Sequence, residues 1–127
     1  MIAQGFPTQY RLHESREFDA VFKASKYRVS GKEILALGVD NQLGHSRLGM
    51  VVGKKSAAKS VHRSRIKRAI RESFRTLCNQ QQHVDLEKTG VDIIIVTRLG
   101  VAKLSNQQLA RILANNWLSL FSKVPTQ

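Results

Sequence analysis

Hydrophobic residues recur along this chain with two different spacings, and each spacing predicts a type of secondary structure. Phe18, Val21 and Phe22 lie three and four positions apart, which predicts a short helix over residues 14–24. Apolar positions near the end of the chain also have helical spacing, and Ser105 is a suitable N-cap for that last helix. The positions that define the last helix are Leu109, Ile112, Leu113, Asn116, Trp117 and Leu120.

Strands are predicted over residues 27–29, 32–39, 47–54 and 92–97. In the third strand Leu48, Met50 and Val52 alternate with other residues, and a long helix over residues 58–78 is expected to follow directly. The fourth strand contains a continuous apolar run, Ile-Ile-Ile-Val, which predicts that it is covered on both faces. The order αβββαβα indicates an α/β (α+β) two-layer sandwich with a sheet of about four strands.

The size of the chain fits one domain over residues 1–127. Its hydrophobic content of 42% is enough for a single core. Residues 1–9, which include Gly5 and Pro7, are expected to form an extended arm, and residues 79–90 a polar connection. The single cysteine, Cys78, cannot form an intramolecular disulfide and is expected to be a packing residue.

The sequence shows no feature of a membrane or secreted protein. No apolar run approaches the roughly 18 residues of a membrane span. The N-terminus also lacks the apolar stretch of a signal peptide. We therefore expect a soluble, cytoplasmic protein with no membrane partner.

Positive charge is concentrated in residues 54–75, KKSAAKSVHRSRIKRAIRESFR, which hold nine Lys or Arg side chains and one acid, Glu72. The net charge of the chain is +12 and its pI about 10.6. A helical projection separates an apolar stripe from a charged side about 30 Å long. We call that side the basic face, formed by Lys67, Arg68, Arg71 and Arg75. Like charges repel at this spacing, so the pattern indicates binding to a polyanion such as nucleic acid.

Other roles are known for basic amphipathic helices. A solvated face usually mixes acids and bases in i,i+4 pairs, whereas this segment nearly lacks acids. Calmodulin targets and membrane-surface helices usually carry bulky residues along the apolar side. The apolar stripe here has Ile, Ala and one Phe, so polyanion binding is the favoured hypothesis.

The sequence contains no self-sufficient catalytic constellation. Residues 49–56, GMVVGKKS, resemble a phosphate-binding loop, but three residues separate the glycines where the motif needs four. The nine acids are scattered, and His13, His45, His62 and His83 lack metal-ligand spacing. We therefore expect no catalytic residue and no metal site in this chain, which favours a binding subunit over an enzyme acting alone.

The aromatic residues have two interpretations. Phe18 and Phe22 share a helical face with Val21. They either pack in the core or form a floor on which unpaired bases stack, and the sequence leaves both roles open. Trp117 is expected to belong to the core.

Segments along nearly the whole chain resemble the protein subunit of bacterial ribonuclease P in order and spacing. Residues 11–22, which contain RL and EFxxVF, resemble the first helix of that family. Residues 47–55, RLGMVVGKK, resemble its strand before the basic helix, and residues 92–96, DIIIV, its later strand. Residues 63–68, RSRIKR, resemble the signature RNR-I-K-R, with Ser64 in place of asparagine. A serine keeps a hydroxyl but loses the reach and second donor of the amide.

The resemblance implies a ribonucleoprotein endonuclease that removes the 5′ leader of precursor tRNA. Its RNA subunit would carry the active site and bind magnesium, and the protein alone would hold no cofactor. The protein would bind the ribonuclease P RNA through its basic helix and hold the leader in a cleft containing Phe18 and Phe22. The helix would lie in a left-handed β-α-β crossover, against the usual rule. The implied RNA-binding residues are Lys54, Lys55, Lys59, Arg63, Ser64, Arg65, Lys67, Arg68, Arg71 and Arg75.

Two rival functions stay open at this point. A non-enzymatic RNA-binding protein, such as a ribosomal protein, would have the same basic helix without a leader cleft and would co-purify with ribosomes. A stand-alone nuclease would cleave RNA after every trace of partner RNA had been removed.

Overall fold

The structure is a computed structural model that describes residues 10–43, 45–79 and 90–123. The element order confirms the predicted αβββαβα arrangement. The predicted arm, most of the predicted polar connection and the side chain of Cys78 lie outside the described part of the chain. The elements are α1 (Ser15–Ala24), β1 (Tyr27–Ser30), β2 (Ile34–Asp40), β3 (Arg47–Val51), α2 (Ser60–Asn79), β4 (Val91–Thr97), a 3-10 turn (Val101–Lys103) and α3 (Asn106–Ser122).

The four strands form one sheet in the order β1-β2-β4-β3. β1 with β2 and β2 with β4 pair antiparallel, whereas β3 and β4 pair in parallel with Met50 opposite Ile95. Because parallel neighbours need a crossover connection, the chain between β3 and β4 crosses the sheet, and α2 forms part of that crossover. The left-handed sense expected from the resemblance stays a prediction.

Alternate residues of β4 face two hydrophobic clusters on opposite sides of the sheet. Ile93 and Ile95 belong to the larger cluster, which includes α2 and α3. Ile94 belongs to the smaller one, where it joins Val21 of α1. Both faces of β4 are therefore covered, as its continuous apolar run predicted. The sheet with α2 and α3 forms the two-layer sandwich, and α1 covers part of the other face.

The apolar stripe of α2 anchors the helix in the larger cluster. Ile66, Ile70 and Phe74 are fully buried. Trp117 of α3 lies edge-on to Phe74, with 5.6 Å between ring centroids, and its Nε1 donates to Ser73 Oγ at 2.7 Å. The core position predicted for Trp117 is confirmed, and the buried side of α2 directs its basic face outward.

The last helix begins as its sequence predicted. The side chain of Ser105 accepts a hydrogen bond from the backbone N–H of Gln108, and the side chain of Gln108 accepts one from the backbone N–H of Ser105. This reciprocal capping box satisfies two backbone donors at the start of α3. The N-cap prediction is confirmed.

One boundary prediction is wrong, because the basic helix does not follow β3 directly. β3 ends at Val51 and α2 begins at Ser60. Between them Ser56 Oγ donates to the carbonyl of Gly53 at 3.0 Å and lies 2.6 Å from Thr97 Oγ1. These contacts form a turn that the alternation of Leu48, Met50 and Val52 could not indicate. Lys54, Lys55 and Lys59 therefore lie on the connection that leads into α2.

Candidate functional site

The first turn of α1 is held by the carboxylate of Glu17. Its Oε1 accepts hydrogen bonds from the backbone N–H of Glu14 at 3.0 Å and of His13 at 2.7 Å. Its Oε2 lies 2.8 Å from Arg47 Nη1. The backbone hydrogen bonds, first that of Glu14, together with Arg47 lower the pKa of Glu17 to about 2. The carboxylate is therefore ionised at neutral pH and ties α1 to β3.

Arg47 connects that carboxylate to the centre of the sheet. Its Nε and Nη2 donate to the two carboxylate oxygens of Asp92 at 2.9 and 2.7 Å. Asn41 Nδ2 donates to the same carboxylate at 2.7 Å. The hydrogen bonds to Asp92 raise the pKa of Arg47. We call Glu17, Arg47, Asp92 and Asn41 the α1 anchor.

Sequence reasoning missed this anchor because it found the acids scattered. Glu17 and Asp92 are far apart in the chain, and only the pairing of β3 with β4 brings Arg47 opposite Asp92. One local signal was present, since Glu17 occupies the third position of α1, where a capping-box acid is common. That signal predicts the cap but not the contact with Arg47.

The ring of Phe18 rests on the backbone of β3 at Gly49. A Cβ on Gly49 would lie 2.8 Å from Cε2 of Phe18 and 3.0 Å from Cδ1 of Leu12. Real Cβ atoms do not approach carbon so closely, so α1 can lie at this distance from the sheet only because position 49 is glycine.

The two predicted cleft residues differ in exposure. Phe18 packs against the smaller cluster and is partly buried, whereas Phe22 is 45% exposed. Val21 between them is 1% exposed and attaches the helix to the sheet. Val51, on the same face of β3 as Gly49, is also exposed. We call Phe18, Phe22 and Val51 the α1 surface, which includes one exposed aromatic ring and one exposed apolar strand residue.

On the basic face of α2, three cationic side chains have hydrogen-bond donors without an acceptor among the described residues. Within the described residues, Lys67, Arg68 and Arg71 have no hydrogen bond or ion pair. Arg75 differs, because its Nε and Nη2 both donate to the carboxylate of Glu72. Ser64 is exposed on the same side of the helix. Guanidinium and ammonium groups in this arrangement are suited to bind phosphate oxygens.

Two further arginines of the predicted RNA-binding set also bond to the protein itself. Arg63 Nη1 donates to the carbonyls of Ala57 at 2.9 Å and Ala58 at 2.7 Å. Arg65 Nη1 donates to the carbonyl of Leu104 at 3.2 Å, and its Nη2 to that of Ala102, also at 3.2 Å. Arg65 is not among the four residues that the helical projection assigns to the basic face, and this was the one sequence signal of its role.

A further hydrogen bond joins Arg65 Nη1 to Oδ1 of Asn106 at 2.8 Å. Arg65 thus ties α2 to the 3-10 turn and to the start of α3. Its contact with RNA stays a prediction.

Lys54, Lys55 and Lys59 are exposed on the connection before α2. They have no hydrogen bond or ion pair to any described residue. The structure therefore places them at the N-terminal end of α2, ahead of the basic face. Their assignment to RNA binding stays a prediction.

Two kinds of feature are absent from the described residues. They contain no group of three His, Cys, Asp or Glu side chains able to hold a metal ion. None of their helices is long and apolar enough to cross a membrane.

Comparison with protein families finds a match across most of the chain. The family described as Ribonuclease P matches residues 6–120. A protein of Stutzerimonas stutzeri named "Ribonuclease P protein component" is 44% identical over 119 residues, covering 94% of this chain and 86% of the relative. A protein of the same name from Ectopseudomonas mendocina is 43% identical, covering all of this chain and 90% of the relative.

Solved structures show the same fold. The RNase P protein of Staphylococcus aureus has a TM-score of 0.73 and 27% identity, with 91% of this chain and 96% of that chain covered. The RNase P protein of Thermotoga maritima, solved with 1-(4-fluorophenyl)-2-thiourea, has a TM-score of 0.72 and 28% identity. That comparison covers 85% of this chain and 97% of the other.

Proposed function

The chain belongs to the ribonuclease P protein family, and from that premise we propose that its two exposed surfaces bind two different RNAs. The basic face of α2 binds the RNA subunit of ribonuclease P. The α1 surface binds the single-stranded 5′ leader of precursor tRNA. The observation that carries this proposal is the contrast between the cations on α2 that have no partner among the described residues and the exposed Phe22 on α1.

Membership of this family identifies the enzyme to which the chain belongs. The protein is the accessory protein component of ribonuclease P, an endoribonuclease whose catalytic activity resides in its RNA subunit. This membership supports neither the ribosomal protein nor the stand-alone nuclease considered from the sequence. We place the magnesium ions of the reaction on the RNA subunit and the protein in the cytoplasm with its precursor tRNA.

The chemistry of α2 fits a folded RNA. Lys67, Arg68 and Arg71 extend from a helix whose other side is fully buried, so the backbone that carries them is fixed before RNA arrives. Prearranged cations lose less entropy on binding than cations on a flexible chain. Each phosphate neutralised releases condensed counterions, which makes the binding strongly dependent on salt.

The chemistry of the α1 surface fits an unpaired strand instead. A partly exposed aromatic ring can stack on any base, so it binds a leader without requiring one sequence. Phe22 is the ring with the exposure for this, and Phe18 supports it one turn earlier along the helix. The α1 anchor ties the helix that carries both rings to β3.

Reconstitution tests the proposal. The protein alone should leave precursor tRNA intact, and the protein with its RNA subunit should cleave at the mature 5′ end. Lys67→Ala and Arg71→Ala should each reduce the salt slope of RNA-subunit binding by about one unit or less. Arg111→Ala removes an exposed arginine of α3 and serves as the matched control. Normal cleavage by RNA-free protein, or slopes unchanged in both α2 variants, would refute the assignment.

A further inference from the structure

α2 and α3 lie side by side and enclose a groove next to the basic face. They are tied at two points, Arg65 to Asn106 and Ser73 to Trp117. From the first of these hydrogen bonds to the second, the residue numbers increase on both helices, so the two helices run parallel. Beyond the Arg65 tie the space between them is a groove with a volume of about 690 Å³.

The groove exists because small side chains face each other across it. Ala69 of α2 and Ala110 and Ala114 of α3 line its walls. The alanines of α3 are exposed, and so is Leu118 near the far end. The lining is mainly apolar, and a volume in this range can hold a small aromatic group. Trp117 lines the same groove.

The rim of the groove carries positive charge. Arg68 lines the groove and also belongs to the basic face, and it has no hydrogen bond or ion pair within the described residues. Glu72 lines the groove too, but its carboxylate is paired with Arg75. An anionic group entering from the basic face would therefore meet Arg68 first, and among the described lining residues it would meet no unpaired carboxylate.

These features indicate which kind of ligand the groove can bind. The groove continues the surface proposed to bind the RNA subunit, so RNA is the polymer already at its edge. A nucleotide matches its two parts, because the phosphate suits Arg68 and the flat apolar base suits the alanine walls. An apolar protein segment would fill the walls but would leave Arg68 without an anion.

We propose that the α2–α3 groove accepts one unstacked base of the RNA subunit, with the phosphate of that nucleotide on Arg68. This inference rests on the proposed function, since it assumes that the RNA subunit lies along α2. It adds a base-binding site to a surface otherwise limited to phosphate contacts.

Filling the groove tests the inference. Ala114→Phe places a ring in the groove from an exposed position, and Asn115→Phe places the same ring on the neighbouring exposed position outside the groove lining. With purified full-length protein and its RNA subunit, Ala114→Phe should weaken binding about tenfold, the loss of one stacked base. Asn115→Phe should bind like the parent. Thermal unfolding checks that both are folded, and Ala110→Leu replaces Ala114→Phe if that variant is not.

Trp117 gives a second, direct measurement, because it is the only tryptophan in the chain. Saturating RNA subunit should quench its fluorescence in the parent and in Asn115→Phe but not in Ala114→Phe. Equal affinity and equal quenching in all three proteins would overturn the groove site and leave the basic face standing. A parent protein that fails to bind the RNA subunit in a salt-dependent way would instead overturn the proposed function itself.

Discussion

Arginine has opposite roles in two regions of this molecule. At the α1 anchor, Arg47 directs three nitrogens at two carboxylates and is mostly buried. On the basic face, Arg68 and Arg71 have no hydrogen-bond partner within the described residues. The positive charge of the anchor is balanced inside the protein, whereas that of the basic face is available to a ligand. The number of cations in a segment therefore does not identify the candidate binding residues. Those residues are identified by the lack of a partner within the protein.

Removing Arg47 should give the largest loss of stability. It tests the role of the arginine whose charge is balanced inside the protein. Arg47→Ala leaves the carboxylates of Glu17 and Asp92 without their cation, and breaking such a partly buried network should cost about 3–5 kcal/mol of unfolding free energy. Chemical denaturation measures this cost. The control is Arg16→Ala, because Arg16 pairs with Glu14 at the surface, where a pair contributes about 1 kcal/mol or less. Equal losses in the two variants would contradict the distinction.

Acid pH should give the next largest difference between the two regions, because it affects the stability that the α1 anchor contributes. The pKa of Glu17 is about 2 in the folded protein and 4.5 in the unfolded chain. The stability that its ionised form contributes is therefore complete above pH 4.5. That contribution declines as the pH falls through 4.5 and is lost below about 2. Unfolding free energy measured from pH 6 to pH 2 should fall less in Glu17→Gln than in the parent. Identical pH profiles would refute the role of Glu17.

Arg65 and Arg68 provide the closest comparison, since they are three positions apart on one helix. Arg65→Lys should lose the forked contacts with Ala102 and Leu104 and cost about 1–3 kcal/mol of stability. Arg68→Lys should leave stability within about 0.5 kcal/mol and weaken RNA binding. Thermal unfolding and filter binding on the same samples make the comparison. The assignment is wrong if Arg68→Lys is the less stable protein.

The last prediction concerns Phe22 of the α1 surface, where only a small change in stability is expected. Phe22→Ala removes a ring that is 45% exposed, so it should cost about 1 kcal/mol or less. It should also reduce the preference for precursor tRNA over leaderless tRNA by about 1–3 kcal/mol, one stacked base. Phe18→Ala should cost more stability, because its ring packs over Gly49. An unchanged preference in Phe22→Ala would remove Phe22 from the leader site.

Local patterns predicted the elements because the signals were local. The four-residue apolar run identified β4, the spacing of Ile66, Ile70 and Phe74 identified the buried side of α2, and Ser105 marked the start of α3. Each of these depends on neighbours within a few positions. Their agreement with the structure follows from the periods of helix and strand.

Contacts between distant segments were not predictable in the same way. The place of β4 between β2 and β3 depends on a crossover, and the pairing of Arg47 with Asp92 depends on that place. The bonds of Arg65 to Ala102 and Leu104 join segments that no periodicity relates. The family resemblance assigned all nine cations of the segment to RNA binding, although the structure separates those that bond internally from those that do not.

The strand order also determines when the chain can complete its fold during synthesis. Ile95 pairs with Ala36 on one side and with Met50 on the other, so β2 and β3 have no common neighbour until β4 leaves the ribosome. α2 is synthesised before β4, and its buried residues pack in a cluster that includes Ile93 and Ile95. Such long-range pairings form slowly. A nascent chain that ends before residue 90 is thus a polycation that lacks the central strand needed to hold its basic helix in shape.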